Sequence, residues 1–277
     1  MQANALQSLS NTLHASPRMP LLFLGHGSPM NAIEDNVFVR GFKQMALKIP
    51  IPQAILCISA HWETKGTQVT AMEHPKTIHD FGGFPRVLYE VQYPAPGSPN
   101  LAHDIQTALT PQPVNLNYDW GLDHGAWSVI KHLYPLANIP VIQLSLDVSL
   151  SPEGHYRLAQ QLATLRRKGV LIIGSGNMVH NLGMVAWDKL NAGPFGYDWA
   201  LEARHKMNKA ILEHDHKTLI DFRKQGRAFD LAIPTPEHYL PLLYILALQE
   251  KNEHVEFFND EALAGSLTMT SLKIDAA

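Results

Sequence analysis

Short unbroken apolar runs recur along the chain, each closed by small or polar residues. Pro20–Leu24, Gln53–Ser59, Pro140–Leu146 and Val170–Gly174 have this form, which fits strands buried on both faces of a sheet. Between them the apolar positions repeat with helical spacing: Asn36–Lys48 (through Phe38, Phe42 and Met45), Leu101–Leu109, Pro152–Arg167 and Tyr197–His214. Trp127–Leu133 is a further helix, opened by the polar pair Asp123-His124. Thr67–Met72 and a stretch near Val114 read as further strands, and Val255–Phe258 and Ser266–Ile274 as the last two. A final helix is expected from Thr235 to Leu248, because threonine is a good N-cap and Pro236 suits the first helical position. This alternation predicts one α/β domain over residues 18–277, a three-layer α/β/α sandwich around a mostly parallel central sheet. Residues 1–17, rich in Ser and Asn, are expected to be a disordered tail.

Composition narrows the function classes. The 277 residues are 45% hydrophobic, enough for a sizeable core. A net charge of −3 with both signs scattered gives no basic stripe, so no nucleic-acid partner is expected. Cys57 is the single cysteine and lies in an apolar run, so no intramolecular disulfide can form. The first eighteen residues lack the apolar core of a signal peptide. The late apolar run Leu240–Leu248 is too short to span a bilayer. The expectation is a soluble cytoplasmic protein with no membrane partner, a monomer or small homo-oligomer.

The fifteen histidines change the picture more than any other count. The run Leu21–Leu24 breaks into Gly25-His26-Gly27-Ser28-Pro29, a histidine in a tight turn at the end of a buried strand. The same pattern returns at Ala60-His61-Trp62 and, after Gly174-Ser-Gly-Asn, at His180, while His238 sits beside Glu237 at the start of the last long helix. Each alone fits a hydrogen-bonded structural residue. Together they fit a metal site, because neighbouring parallel strands bring their carboxyl ends together and open α/β folds bind ligands there. A His–His–(His or Glu) set with open positions suits a catalytic metal. Glu237 is equally explained by the helix dipole, whereas a charged His238 at that end is disfavoured and a neutral, metal-bound one is not.

Asp123-His124 has two readings, a cap with packing or a hydrogen bond to substrate or bound oxygen. His79-Asp80 lies in the irregular, Pro/Gly/aromatic-rich segment 74–100, a candidate lid. His103, His132, His155, His205, His214, His216 and His254 fall on polar or amphipathic stretches and read as solvated surface. Gly174-Ser175-Gly176 is not the Gly-x-Ser-x-Gly elbow of α/β-hydrolases. Dinucleotide and P-loop fingerprints are absent from the sequence.

Seven blocks in order carry a resemblance: GHGSPMN at 25–31, SAHW at 59–62, IHDFGGFP at 78–85, YPAPGSP at 93–99, DHGAW at 123–127, SGNMVHNL at 175–182 and PTPEHYLPLLY at 234–244. The chain resembles the 4,5-DOPA extradiol dioxygenase family, its bacterial members most, within the class III ring-cleaving dioxygenases. The resemblance implies a single α/β domain and a mononuclear non-haem metal. It matches His26, His61 and His238 to metal ligands, with His238 preferred over Glu237. It makes His180 a ligand or an acid–base residue. His124 becomes a catalytic and substrate contact, and His79 falls on the substrate side. It further implies Fe(II) for activity, Zn(II) in the isolated protein, and a catechol such as L-DOPA with O2 as substrates. The segment Asn181–Trp187 departs from the plant pigment enzymes, so ring cleavage is better supported than DOPA itself. Two other readings of the same residues are a zinc-dependent hydrolase and a non-enzymatic binding protein of the Memo-like kind.

Overall fold

A computed structural model describes residues 13–190 and 192–276. Most of the expected tail, residues 1–12, lies outside the described residues. At its end the His14 backbone N–H donates to Gln53 Oε1 and that of Ser16 to the Arg167 carbonyl.

The strands are β1 (Leu21–Gly25), β2 (Ala54–Thr64), β3 (Thr67–Thr70), β4 (Val114–Asn117), β5 (Val141–Asp147), β6 (Val170–Gly176), β7 (Glu253–Phe258), β8 (Ala262–Leu263), β9 (Leu267–Thr268) and β10 (Ser271–Ala276). Eight of them form one sheet in the order β4-β3-β5-β2-β6-β1-β10-β7. The central four, β5-β2-β6-β1, run parallel. Antiparallel pairings join β10 to β1, β7 to β10 and β3 to β5. The expected mostly parallel α/β sandwich is therefore present.

Side chains alternate across the sheet, as pleating requires. Leu21 and Phe23 of β1 enter one core, and Leu22 and Leu24 the other. The second core is covered by α1 (Val37–Ala46), α2 (Arg86–Tyr89) and α4 (His124–Leu133). The first is covered by α3 (Pro99–Ala108), α5 (Pro152–Gln160), α6 (Asp198–Leu212), α7 (His216–Ile220), α8 (Arg227–Ala232) and α9 (Leu240–Ala247). No described helix is long and apolar enough to cross a membrane.

Several boundaries differ from the sequence reading. The helix from Pro152 stops at Gln160, and a 3-10 turn occupies Ala163–Lys168. The expected last strand is divided into β9 and β10. The last long helix starts at Leu240, not at Thr235. Thr235 does not cap it: its hydroxyl donates to Glu237 Oε1 at 2.9 Å instead. His155 is not solvated but buried, its Nδ1 2.9 Å from the Tyr244 hydroxyl. An amphipathic pattern cannot tell a polar ring facing water from one matched to a buried hydroxyl.

Candidate metal centre

The site lies at the carboxyl edge of β1, β6 and β2. β1 and β6 end in register, Gly25 opposite Gly176, and the His26 N–H donates to the Gly176 carbonyl at 3.1 Å. His26 thus begins where the strand stops, and Gly27 turns the chain with φ of 61°. His61 differs from expectation: it lies inside β2, not beyond it. Pairing with β5 jumps from Ile58–Leu144 to Glu63–Leu146, so β2 bulges between those points, and a bulge re-aims the side chains it carries. His124 is the first residue of α4, whose N-cap Asp123 accepts from the Ala126 N–H. His180 follows β6, and His238 lies in the turn ahead of α9. β6 ends in glycine for a steric reason: a Cβ on Gly176 would sit 2.1 Å from the His238 carbonyl oxygen.

Five imidazoles converge here. The Nε2 atoms of His26 and His61 are 3.1 Å apart. The His124 ring centroid is 3.9 Å from that of His61, and the His238 centroid is 5.3 and 5.0 Å from those of His26 and His61. The His180 ring stacks on that of His238 at 3.5 Å with the planes 8° apart. Donor atoms of His26, His61 and His124 lie within 4.8 Å of one another, and so do those of His180, Glu237 and His238.

The hydrogen bonds assign which nitrogen of His26 faces inward. Ser175 gives its single hydroxyl proton to the Gly125 carbonyl at 2.5 Å. His26 Nδ1, 3.0 Å from the same oxygen, must then donate its own proton. That leaves the Nε2 lone pair toward His61. His238 Nδ1 similarly faces Glu237 Oε1 at 3.1 Å. Histidines that ligate metals commonly have the second ring nitrogen held in this way. Glu237 thus lies behind His238, and its carboxyl stands at about 2, because bonds from His238, its own backbone and Thr235 outweigh the upward push of burial.

The electrostatics agree. Burial, then repulsion from the neighbouring imidazoles, lowers the pKa values of His26 and His61 well below the ordinary value. His180 is pushed down to about 3 by burial and by His238, against a smaller pull from Glu237. These rings are neutral at pH 7, the form that binds a metal. Two imidazole nitrogens each about 2.0–2.1 Å from one ion stand about 2.9–3.4 Å apart at octahedral or tetrahedral angles. The 3.1 Å spacing of His26 and His61 fits that geometry.

Residues 78–89 supply an aromatic wall beside the rings. Phe81 meets His124 edge-on at 5.5 Å and contacts Phe84, Tyr89 and Trp127. His79 belongs to this wall and not to the cluster, with Nε2 3.0 Å from the Val91 carbonyl. Its neighbour Asp80, which the sequence reading paired with it only as part of a lid, is the residue that reaches the site. Asp80 Oδ1 accepts from the His124 N–H at 2.8 Å, and Oδ2 lies 2.9 Å from His124 Nδ1 and 3.7 Å from His61 Nδ1. Behind the rings, Asp123 is fully buried and accepts from Ser59 at 2.6 Å and Gln143 at 2.7 Å. Ser59 in turn accepts from the His61 N–H at 3.2 Å. Ser175, which does not lie in a hydrolase elbow, orients His26.

A mostly parallel α/β sheet with histidines clustered at its carboxyl edge, where open α/β folds place their ligands, has the donors for a metal. The chain belongs to the LigB family, described as the catalytic LigB subunit of aromatic ring-opening dioxygenase, whose model matches residues 20–264. It is 44% identical to the 4,5-DOPA dioxygenase extradiol of Escherichia coli K12, over 96% of this chain and 98% of that protein. It is 36% identical to the protein of the same name from Beta vulgaris, over 91% of this chain and 94% of the relative. A crystal structure of an uncharacterized protein from Escherichia coli K12 superposes with a TM-score of 0.80 at 41% identity, covering 93% of this chain and all of that one. The chain is therefore an oxidoreductase of the dioxygenase type. Its family uses a metal, and the histidine cluster has the donors for one.

Proposed function

We propose that the chain is an extradiol dioxygenase that opens the ring of a small catechol, with L-DOPA as the first substrate to test. The observation that carries this is the convergence of imidazoles, His26 Nε2 and His61 Nε2 at 3.1 Å with His124, His180 and His238 around them. The names of the relatives supply the substrate class.

In this reading His26, His61 and His238 hold the metal, Fe(II) for turnover and Zn(II) in protein isolated without added iron. Bound there, the metal would acidify a catechol hydroxyl and hold catechol and O2 side by side. Phe81 offers the catechol ring an aromatic face, with His79 behind it. His124 contacts the substrate oxygens. His180, neutral at pH 7, either completes the ligand set or takes a catechol proton and returns it later. Both atoms of O2 enter the product, a yellow muconic semialdehyde, and no outside reductant is needed. From L-DOPA the product is 4,5-seco-DOPA. We place the enzyme in the cytoplasm as a monomer or small homo-oligomer.

The test is to strip the protein of metal and reload it anaerobically with Fe(II) or Zn(II). L-DOPA is then added, air is admitted, and oxygen uptake and yellow product are followed together. Both signals with iron and neither with zinc support the reading. Iron binding without either signal for any catechol overturns it and favours a hydrolase on a metal-bound water. Under the same conditions His180→Gln separates its two roles. Lost metal marks a ligand, and retained metal with lost turnover marks a proton carrier.

A further inference from the structure

Both carboxylate oxygens of Asp80 are within hydrogen-bonding distance of His124, and Oδ2 also lies 3.7 Å from His61 Nδ1. Oδ1 takes the backbone N–H of His124 and Oδ2 faces the His124 ring at Nδ1. The backbone N–H is one of the groups a helix leaves unpaired at its first turn, so Asp80 closes the start of α4 from outside. With one oxygen pinned to the main chain, the other has little freedom. The ring of His124 must meet it with Nδ1–H, because a carboxylate only accepts.

The segment carrying Asp80 is pinned on both sides. The Ile78 N–H donates to the Leu122 carbonyl at 2.7 Å, and the Ile78 carbonyl accepts from Trp127 Nε1 at 2.8 Å. The Leu122 N–H returns to the Lys76 carbonyl at 2.9 Å. A Cβ on Gly121 would lie 2.4 Å from that same Lys76 oxygen, so the two segments are in direct backbone contact. On the other side His79 is held at the Val91 carbonyl. The expected lid is thus a strut at its 76–80 end.

We infer that Asp80 is the positioning residue that fixes the tautomer of His124, holding the proton on Nδ1 and presenting the Nε2 lone pair to the substrate side of the cluster. This rests on the dioxygenase reading for its catalytic meaning, but the tautomer itself does not. The geometry makes a specific demand on Asp80→Asn. The His124 N–H can only donate, so the amide oxygen of the asparagine must stand where Oδ1 stood. Its NH2 then occupies the Oδ2 position and donates to Nδ1. The ring is driven to the opposite tautomer, with its proton on Nε2 and no lone pair for a substrate hydroxyl. A change of one atom inverts His124 without emptying space.

The experiment uses Zn(II)-loaded full-length protein with 15N-labelled histidine, in which two-bond proton–nitrogen correlations show which nitrogen of each neutral ring carries hydrogen. Wild type should show His124 protonated at Nδ1, Asp80→Asn at Nε2, and Asp80→Glu should return it to Nδ1. Metal stoichiometry should be unchanged in all three. With Fe(II) and L-DOPA, kcat of Asp80→Asn should fall by about 100-fold or more, the scale of losing an acid–base partner, and Asp80→Glu should recover part of it. A wild-type ring protonated at Nε2, or an Asp80→Asn ring still protonated at Nδ1, overturns the inference. If instead the tautomers behave as stated but wild type turns over no catechol, the dioxygenase reading fails and the positioning role stands.

Discussion

Two buried polar regions lie at opposite edges of the same sheet and solve burial in opposite ways. At the amino edge, Arg166 is 1% exposed and Glu253 is also buried. The guanidinium donates to the Met19 and Leu248 carbonyls at 2.8 and 2.9 Å and to both Glu253 oxygens at 3.0 and 2.5 Å. Opposite charges meet and their hydrogen-bonding capacity is largely spent inside the chain. At the carboxyl edge, groups of one kind face one another. His26 and His61 bring their Nε2 atoms to 3.1 Å, and burial keeps both rings neutral. The first region serves stability, and the second holds binding capacity in reserve.

Variants at the two edges should therefore fail in different assays. The largest effect is expected from His26→Ala or His61→Ala, which should abolish metal uptake in equilibrium dialysis with metal analysis. Tight binding of one metal by His26→Ala would break the assignment of that edge. Next, Arg166→Met should lower the unfolding free energy by about 3–5 kcal/mol, because Glu253 is left buried without its partner. Urea titration reads this, and metal stoichiometry should not change.

The acid limb of stability sharpens the contrast. Burial pushes the Glu253 carboxyl up, but the Arg166 hydrogen bond, the Glu250 N–H and the Arg166 and Arg18 charges outweigh it and hold the pKa below its ordinary 4.5. The unfolded chain then takes up this proton first, so the contribution of Glu253 is intact above about 4.5 and is lost as pH falls through the lower folded value. Glu253→Gln should be less stable than wild type at pH 7 and lose less between pH 5 and 3 (about those limits) in urea melts. The smallest effect is expected from Gly125→Ala. Its Cβ would meet Ser59 Oγ at 2.4 Å and His61 Cδ2 at 2.8 Å, tilting His61. We expect metal affinity to fall by about tenfold, as for other losses in a ligand's supporting shell, with the fold retained by circular dichroism. Unchanged affinity would show that the bulge of β2 positions His61 without help from α4.

Much of this was legible in the chain because two-sided burial forces continuous apolar runs. β1, β5 and β6 lie within a residue or two of those runs. The histidine set was legible for a topological reason: parallel strands align their carboxyl ends, so His26 and His180 had to share an edge. His61 was legible as a residue but not as a geometry, since nothing in Ala60-His61-Trp62 announces a bulge whose register depends on β5. The start of α9 was misplaced because Thr235 and Pro236 make good local capping chemistry that the Glu237 carboxylate takes for itself. Asp80 carries no local signal of its partner, 44 residues away. The histidine beside it, His79, offers the more conspicuous chemistry, but its ring faces the aromatic wall.

The five converging imidazoles come from five segments spread from the first strand to the turn before the last long helix. A ribosome-bound chain lacking its final segments has β1, β2 and β6 but not His238, so its cluster is incomplete. A metal held by all of these rings would therefore be acquired late in the life of each molecule, and its uptake would report that the chain is complete as far as His238.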